Sequence, residues 1–375
     1  MEIASAVKQR DSNLELFRIL TMLLIVAHHY VVNSGLTAPG GPIASSPTAG
    51  NSLFLLVFGA WGKVGINCFV MITGYFMCKS NITATKFVKL LFEILFYKIA
   101  IGFAFLLTGY QSFTISNVIR LFVPITQITC SFASAYLVFF LFIPFLNILI
   151  RNLNEKQHLY LILLCGFIYI LFETIKGGPI KVDMNYVSWF CVLYIIASYI
   201  RLYPKTWHSD KRICGIGFLV SFAVAILSII ACAWIGERYD KFFPYNFVMD
   251  CNTLLAVLVG IFGFLFFKNI RLKQSRFINT VAASSFGVFL IHDNSVAMRQ
   301  WLWKDTLDCV GHYGQFLYPI VCVLTVYAIC TAIDFVVKNT VEKAFFKVWD
   351  SHSASLSSWW KGKEEKISEF FQLKP

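Results

Sequence analysis

Long, uninterrupted apolar stretches constrain this chain more than any other feature of its sequence. Several of them exceed about 18 residues, which is long enough for a helix to cross the hydrocarbon core of a bilayer. The composition agrees, because 58% of the 375 residues are hydrophobic and only 14% are charged, against about 25% charged in an ordinary soluble domain. The sequence therefore predicts an all-α, polytopic membrane protein.

The apolar stretches divide the chain into about ten predicted transmembrane helices. Their approximate bounds are 14–32, 53–78, 86–108, 132–150, 158–175, 186–202, 213–236, 247–267, 280–296 and 316–337. Residues 1–340 then form one membrane domain. Residues 341–375 form a basic tail, which either lies on the membrane surface as an amphipathic segment or is simply solvated.

The distribution of lysine and arginine predicts the orientation. With ten spans, 23 of the 32 basic residues lie on the side of the two termini and 7 on the opposite side. The positive-inside rule then places both termini in the cytoplasm. We expect a multi-pass protein of a cell membrane, the bacterial inner membrane, and we attribute the net charge of +12 to topology rather than to nucleic-acid binding.

The first predicted helix carries an unusual pair of side chains. Arg18 lies at its cytoplasmic start and His29 lies eleven positions further on, in the outer half of the membrane. Eleven residues make almost three helical turns, so the two side chains share a helix face, roughly 16 Å apart along the axis. Ionisable groups inside a membrane are costly and are functional candidates by default.

The ninth predicted helix ends in a second polar group, His292-Asp293-Asn294, at about the depth of His29. Two imidazoles at one level beside a carboxylate are typical of an acid/base site. The alternative is that these residues are only the polar end of a span that meets water.

Further charged residues lie near the cytoplasmic mouth. Glu15 is three residues before Arg18, and it either forms a simple intrahelical ion pair or positions the guanidinium for a phosphate. Lys86 and Lys89 begin the third helix, as topology anchors or as additional phosphate ligands.

Motifs for cofactors and metals are missing from the sequence. The 11 cysteines are scattered singly, without a CxxC pair, and we expect them to be small buried hydrophobic residues. There is no Walker loop, no dinucleotide-binding glycine motif and no metal-ligand spacing. We therefore expect neither a metal nor a redox cofactor.

The helix-1 pair and two later runs together resemble the integral-membrane acyltransferase-3 family, in its polysaccharide O-acetyltransferase branch. The resemblance lies in Arg18 and His29, in the second-helix run Val64–Phe76, and in the ninth-helix run Gly287–Asn294 followed by Trp301-Leu302-Trp303. Lys86 and Lys89 stand where arginines are common in the family. The resemblance covers all ten predicted helices.

This resemblance implies transfer of an acyl group, most simply acetyl, from cytosolic acetyl-CoA to a hydroxyl of an extracytoplasmic or lipid-linked carbohydrate. Arg18, with Lys86, Lys89 and Glu15, would bind the phosphates of the donor. His29 would either take the proton of the sugar hydroxyl or accept the acyl group itself, and both roles need the neutral imidazole that an apolar setting favours.

The remaining site residues follow from the same resemblance. His292 and Asp293 would bind or polarise the acceptor, and we expect Asn67, Tyr75 and Asn294 to line the cavity. A transporter or flippase for lipid-linked sugars is the alternative function, because ten spans with internal charges also suit that class. The hydrophobic pattern lacks the internal duplication that many transporters show.

Overall fold

The computed structural model describes residues 11–126, 131–175 and 185–352, and within these ranges every regular element is a helix. This confirms the predicted all-α fold class. The chain divides into two compact units after Thr331. The predicted domain boundary at residue 340 stays a prediction, and most of the predicted tail, 353–375, lies outside the described residues.

Thirteen of the α-helices are numbered here in chain order. They are α1 Ser12–Val32, α2 Gly50–Phe58, α3 Gly62–Met77, α4 Ala84–Leu107, α5 Ile115–Phe122, α6 Phe132–Asn152, α7 Glu155–Cys165, α8 Tyr186–Leu202, α9 Lys211–Arg238, α10 Leu254–Asn269, α11 Arg276–Ala283, α12 Ser285–His292 and α13 Tyr318–Val337. Shorter helical turns join them, and π-helical stretches follow α7, precede α13 and continue α13 over Lys338–Glu342.

Seven helical stretches in the described part of the chain are long and apolar enough to cross a membrane, and α8 and α10 are shorter apolar helices. Two predicted spans are broken. The second divides into α2 and α3 around Gly59–Trp61, and the ninth divides into α11 and α12 at Ser284. The predicted eighth span begins at Leu254 rather than near residue 247, because turns occupy the residues before it. The total of ten and the side of the termini stay predictions.

Side chains at the helix starts explain several of these boundaries. Thr83 caps α4, Asn185 caps α8 and Asp210 caps α9, each accepting a hydrogen bond from a backbone N–H of the first turn. Asn154 and Gln157 form a capping box at α7. These polar caps satisfy N–H groups that have no partner within the helix.

Helix α3 is the centre of the first unit, where it packs against α1, α8 and α10. A Cβ added to Gly65 would lie 2.7 Å from the side chain of Ile25 on α1, and one added to Gly74 would lie 3.0 Å from Ala197 on α8. These glycines therefore allow close helix packing, as small residues do in membrane proteins. The close contact of α1 and α3 leaves the opposite face of α1 to α11 and α12, where the candidate site lies.

Candidate active site

Two histidines from distant parts of the sequence meet where α1 approaches the end of α12. Nδ1 of His29 lies 2.9 Å from Nε2 of His292, and the ring centroids are 5.1 Å apart. His292 is fully buried, whereas the His29 side chain keeps 13% of its surface exposed. The two histidines, predicted to lie at about the same depth, are in direct contact in the structure, and His29 is the more accessible of the two.

The hydrogen bonds of His292 determine which nitrogen of each ring carries a proton. Nδ1 of His292 lies 2.6 Å from the carbonyl oxygen of Val288, one turn earlier on α12, and only an N–H can bond to that oxygen. In the neutral ring Nε2 is then an acceptor, so Nδ1 of His29 must be the donor across the 2.9 Å contact. Nε2 of His29 is left with a free lone pair, as a general base or nucleophile requires.

Asp293 supplies negative charge beside this pair. Its Oδ1 lies 3.7 Å from Nδ1 of His29, and its side chain is only 5% exposed. Arg299 holds the carboxylate with two bonds, of 2.6 and 2.9 Å, and Asn33 donates a third at 3.4 Å. The guanidinium fixes the direction of the carboxylate, and a carboxylate at this distance attracts a positive charge that develops on His29.

Sequence reasoning missed Arg299 and assigned it only to topology. Arg299 ends a short helical turn that follows a break at Ser295, six residues beyond Asp293. No regular helical spacing therefore joins the two residues, and only the turn brings them together. The segment after Arg299 is held to the loop following α4 by a hydrogen bond from Tyr110 to Asp305, which raises the pKa of Tyr110 to about 12.

His28, the neighbour of His29, has a packing role instead. Its Nδ1 donates to the carbonyl oxygen of Gly59 at 2.6 Å. Its ring also lies so close to α3 that a Cβ added to Gly62 would meet it at 2.3 Å. The side chain of His28 therefore packs α1 against the break between α2 and α3.

Arg18 lines a cavity of about 210 Å³ at the other end of α1. The guanidinium lies 5.9 Å from the ring of Phe69 and forms an ion pair with Glu15 at 3.0 Å. Tyr136 lines the same cavity, and its hydroxyl lies 2.8 Å from that of Thr73. The predicted pair of Glu15 and Arg18 is thus present at the edge of this cavity.

Aromatic rings separate this cavity from His29. Phe286 of α12 lines the cavity, and one turn further on the ring of Phe289 lies 6.2 Å from that of His29. Phe132 of α6 lies between the two, with its centroid 6.5 Å from Phe286 and 5.1 Å from Phe289. Arg18 and His29 therefore face the same stripe of α12, as their spacing predicts, but His29 does not line the cavity.

Other predicted residues lie outside this cavity. Lys86 is exposed and donates to Ser80 and to the carbonyl of Asn81, one turn before the cavity-lining Leu90. Lys89 is also exposed and directly precedes Leu90. Both therefore lie at the start of α4, where they remain candidates for the entrance.

Asn67, predicted to line the cavity, is instead fully buried between helices. Its amide donates to the carbonyls of Cys251 and Ala256, and its oxygen accepts from Nε1 of Trp189. The amide thus joins α3 to α8 and to the start of α10, because a buried amide needs all its hydrogen bonds satisfied. The cavity-lining assignment is corrected accordingly.

Tyr75 and Asn294 do not line the cavity beside Arg18, and their predicted place at the acceptor site stays a prediction. The Tyr75 hydroxyl accepts a hydrogen bond from Nη1 of Arg201 at 2.7 Å. Asn294 donates to the carbonyl of Leu290 and thereby completes the end of α12. Both side chains satisfy local backbone or side-chain groups instead.

Lys63, the lysine inside the second predicted span, lies on the His29 side of α3. Its ammonium donates to the Tyr186 hydroxyl at 2.5 Å, and it interacts electrostatically with His28 and His29. Within the described ranges, no three His, Cys, Asp or Glu side chains are grouped in a way that could hold a metal ion.

A family model described as an acyltransferase domain matches residues 11–335. The chain belongs to the acyltransferase-3 family. The match includes Arg18, His29, His292 and Arg299, and together with the long apolar helices it makes this family member a multi-pass membrane acyltransferase. Neither a curated protein nor a solved structure matches the chain.

Proposed function

We propose that this acyltransferase-3 protein moves an acyl group, most simply acetyl, from cytosolic acyl-CoA to a hydroxyl of an extracytoplasmic or lipid-linked carbohydrate. The observation that carries the proposal is the bond between His29 and His292, because it leaves Nε2 of His29 unprotonated at a partly accessible position. The family match supports acyl transfer in general. The donor, the acceptor and a location in the bacterial inner membrane are our proposals.

In the proposed step, Nε2 of His29 takes the proton of the sugar hydroxyl while the hydroxyl oxygen attacks the carbonyl carbon of the thioester. The new C–O bond forms, the C–S bond breaks, and the protonated imidazole returns its proton to the departing sulfur. The products are the sugar ester and the free thiol of coenzyme A. The same lone pair could instead attack the thioester first, and an acyl-His29 intermediate would then precede transfer to the sugar.

His292 and Asp293 act through His29 in this scheme. His292 holds the imidazole in the tautomer whose Nε2 is free, and Asp293, fixed by Arg299, stabilises the imidazolium that forms when the proton moves. This revises the sequence-based prediction that the two residues contact the acceptor, because His292 is fully buried and Asp293 is bonded to Arg299.

The donor enters from the Arg18 side in this proposal. The cavity beside Arg18 is large enough for part of a pantetheine arm, and Lys86 and Lys89 lie at the same end of the bundle as Arg18. Arg18 and His29 are roughly 16 Å apart along α1, a distance that an extended thioester arm spans. Rotation of Phe132 and Phe289 would admit the acyl group to His29.

Membrane vesicles that contain the protein, supplied with labelled acetyl-CoA and the host surface glycan, test the proposal. We expect labelled glycan and free coenzyme A from the wild type, and loss of both from His29→Ala. His28→Asn is the matched control, because an asparagine amide can also donate to the Gly59 carbonyl, and it should retain transfer. Full transfer by His29→Ala would refute the assignment of His29.

A further inference from the structure

Arg201, in the last turn of α8, is a partly buried cation that lacks an acidic partner in the described part of the chain. Its Nη1 donates to the Tyr75 hydroxyl at 2.7 Å, and its guanidinium lies 4.5 Å from the centre of that ring. Its Nε is buried and has no hydrogen-bond partner among the described residues. An unsatisfied guanidinium N–H in a buried position costs free energy unless a ligand accepts from it.

Some arginines and lysines of the protein are paired with carboxylates. Arg18 is bonded to Glu15 and Arg299 to Asp293. Even Lys205, four residues beyond Arg201 and exposed, forms an ion pair with Glu155. Arg201 has no carboxylate partner of this kind among the described residues, and its Nε is also left without an acceptor.

Three further cations lie at the neighbouring helix ends. Lys79 is one turn beyond Tyr75, the partner of Arg201, and Asn147, one turn before Arg151, donates to the carbonyls of Met77 and Ser80 on either side of Lys79. Arg201, Lys79 and Arg151 all interact electrostatically with the thiol of Cys78, and Lys268 of α10 interacts with Arg201 itself. Lys79 and Arg151 are exposed, whereas Lys268 is partly buried. These positive charges repel one another, and a bound anion would reduce the repulsion.

The polar groups nearby are already committed to other bonds. Tyr194 donates to Oδ1 of Asn147 at 2.6 Å, and the Asn147 amide donates to the carbonyls of Met77 and Ser80. Asp210, which lies near the Cys214 thiol together with Lys268, accepts from two backbone N–H groups at the start of α9. The end of α3 is thus held by hydrogen bonds, but the described protein supplies no acceptor for Nε of Arg201.

We propose that Arg201 and Lys268, with Lys79 and Arg151 at the rim, bind a phosphate group. A phosphate ester fits because several cations lie at these helix ends and because a guanidinium donates to phosphate oxygens in a forked geometry. The group belongs either to a soluble nucleotide or to an anionic phospholipid headgroup. The site does not depend on the acyl transfer proposed above, but a nucleotide of coenzyme A bound here would locate the charged end of the donor.

The test uses the full-length protein in nanodiscs, with adenosine 3′,5′-bisphosphate as the soluble probe. One set of nanodiscs contains only phosphatidylcholine, and the other also contains phosphatidylglycerol. The melting temperature is measured with and without the probe for wild type, Arg201→Met, Arg201→Lys and the control Arg212→Met. Arg212 suits the control because it is an exposed cation in the first turn of α9.

If the ligand is a nucleotide, the probe stabilises the wild type in phosphatidylcholine, and Arg201→Met weakens its apparent affinity at least about tenfold. If the ligand is a lipid, phosphatidylglycerol stabilises the wild type but not Arg201→Met, and the probe has no effect. In both cases Arg212→Met should behave as wild type. Arg201→Lys should bind with intermediate strength, because it keeps the charge and loses the fork.

The proposal is overturned if the wild type responds to neither phosphate source, or if Arg201→Met responds like the wild type. Similar ligand-free melting temperatures of the two Arg201 variants show that loss of binding is not loss of folding. Because the readout needs no turnover, an inactive His29→Ala protein should still respond fully. A failed acyl-transfer assay therefore leaves this test unaffected.

Discussion

Replacement of His292 tests the hydrogen-bond argument at the centre of the site. In His292→Leu the Nδ1–H of His29 loses the acceptor that lies 2.9 Å away, although a side chain of similar width still fills the space. A buried donor left without a partner costs about 1–3 kcal/mol. If this free energy destabilises the tautomer of His29 whose Nε2 is free, kcat falls by about 5- to 150-fold, since about 1.4 kcal/mol corresponds to a factor of ten.

His292→Gln is the matched control, because the glutamine carbonyl oxygen reaches the position of Nε2 and accepts the same bond. We expect it to retain most of the activity lost in His292→Leu, with similar expression and melting temperature for the two variants. The assay is transfer of labelled acetyl to glycan in membrane vesicles, with kcat and KM for acetyl-CoA measured separately. Equal losses in both variants, or a kcat for His292→Leu within twofold of wild type, would refute the tautomer argument.

Four further variants test other parts of the site. Asp293→Asn should lower kcat about tenfold with little change in the acetyl-CoA KM, because the carboxylate 3.7 Å from Nδ1 no longer stabilises the imidazolium; an unchanged kcat would contradict that role. Arg18→Ala should raise the acetyl-CoA KM about tenfold or more; unchanged kinetics would reduce Arg18 to a membrane anchor. Phe289→Ala should widen the path to the imidazole and raise kcat/KM for butyryl-CoA relative to acetyl-CoA, and an unaltered ratio would show that its ring does not limit acyl size. Asn67→Leu removes three hydrogen bonds of about 0.6 kcal/mol each, so the melting temperature should fall while the KM for acetyl-CoA stays the same.

Local patterns predicted the helices well, because a span needs only a run of apolar residues and a polar cap. The predicted bounds of Tyr186–Leu202 are those of α8, and the predicted start of the fourth span at Phe132 is that of α6. Breaks inside apolar runs were not predicted. The apolar run that contains Gly62 reads as one span in the sequence. The structure divides it into α2 and α3, and the ring of His28 packs at this division.

Asn67 shows why a polar residue in a span is an ambiguous signal. From the sequence it is equally a ligand contact or a packing residue, since both place an amide within apolar neighbours. Only the positions of Trp189, Cys251 and Ala256, more than a hundred residues away, show that its hydrogen bonds are all used within the protein.

The sequence by itself determined that this chain is a helical membrane protein, and that Arg18 and His29 lie on one helix face, because hydrophobic length and helical period depend only on neighbours along the chain. Only the tertiary structure decided which nitrogen of His29 is free, that Arg299 holds Asp293, and that Phe132 and Phe289 separate the cavity from the imidazole. These features depend on contacts between α1, α6, α12 and the turn beyond it. Such contacts arise from packing between distant segments, which no local pattern encodes.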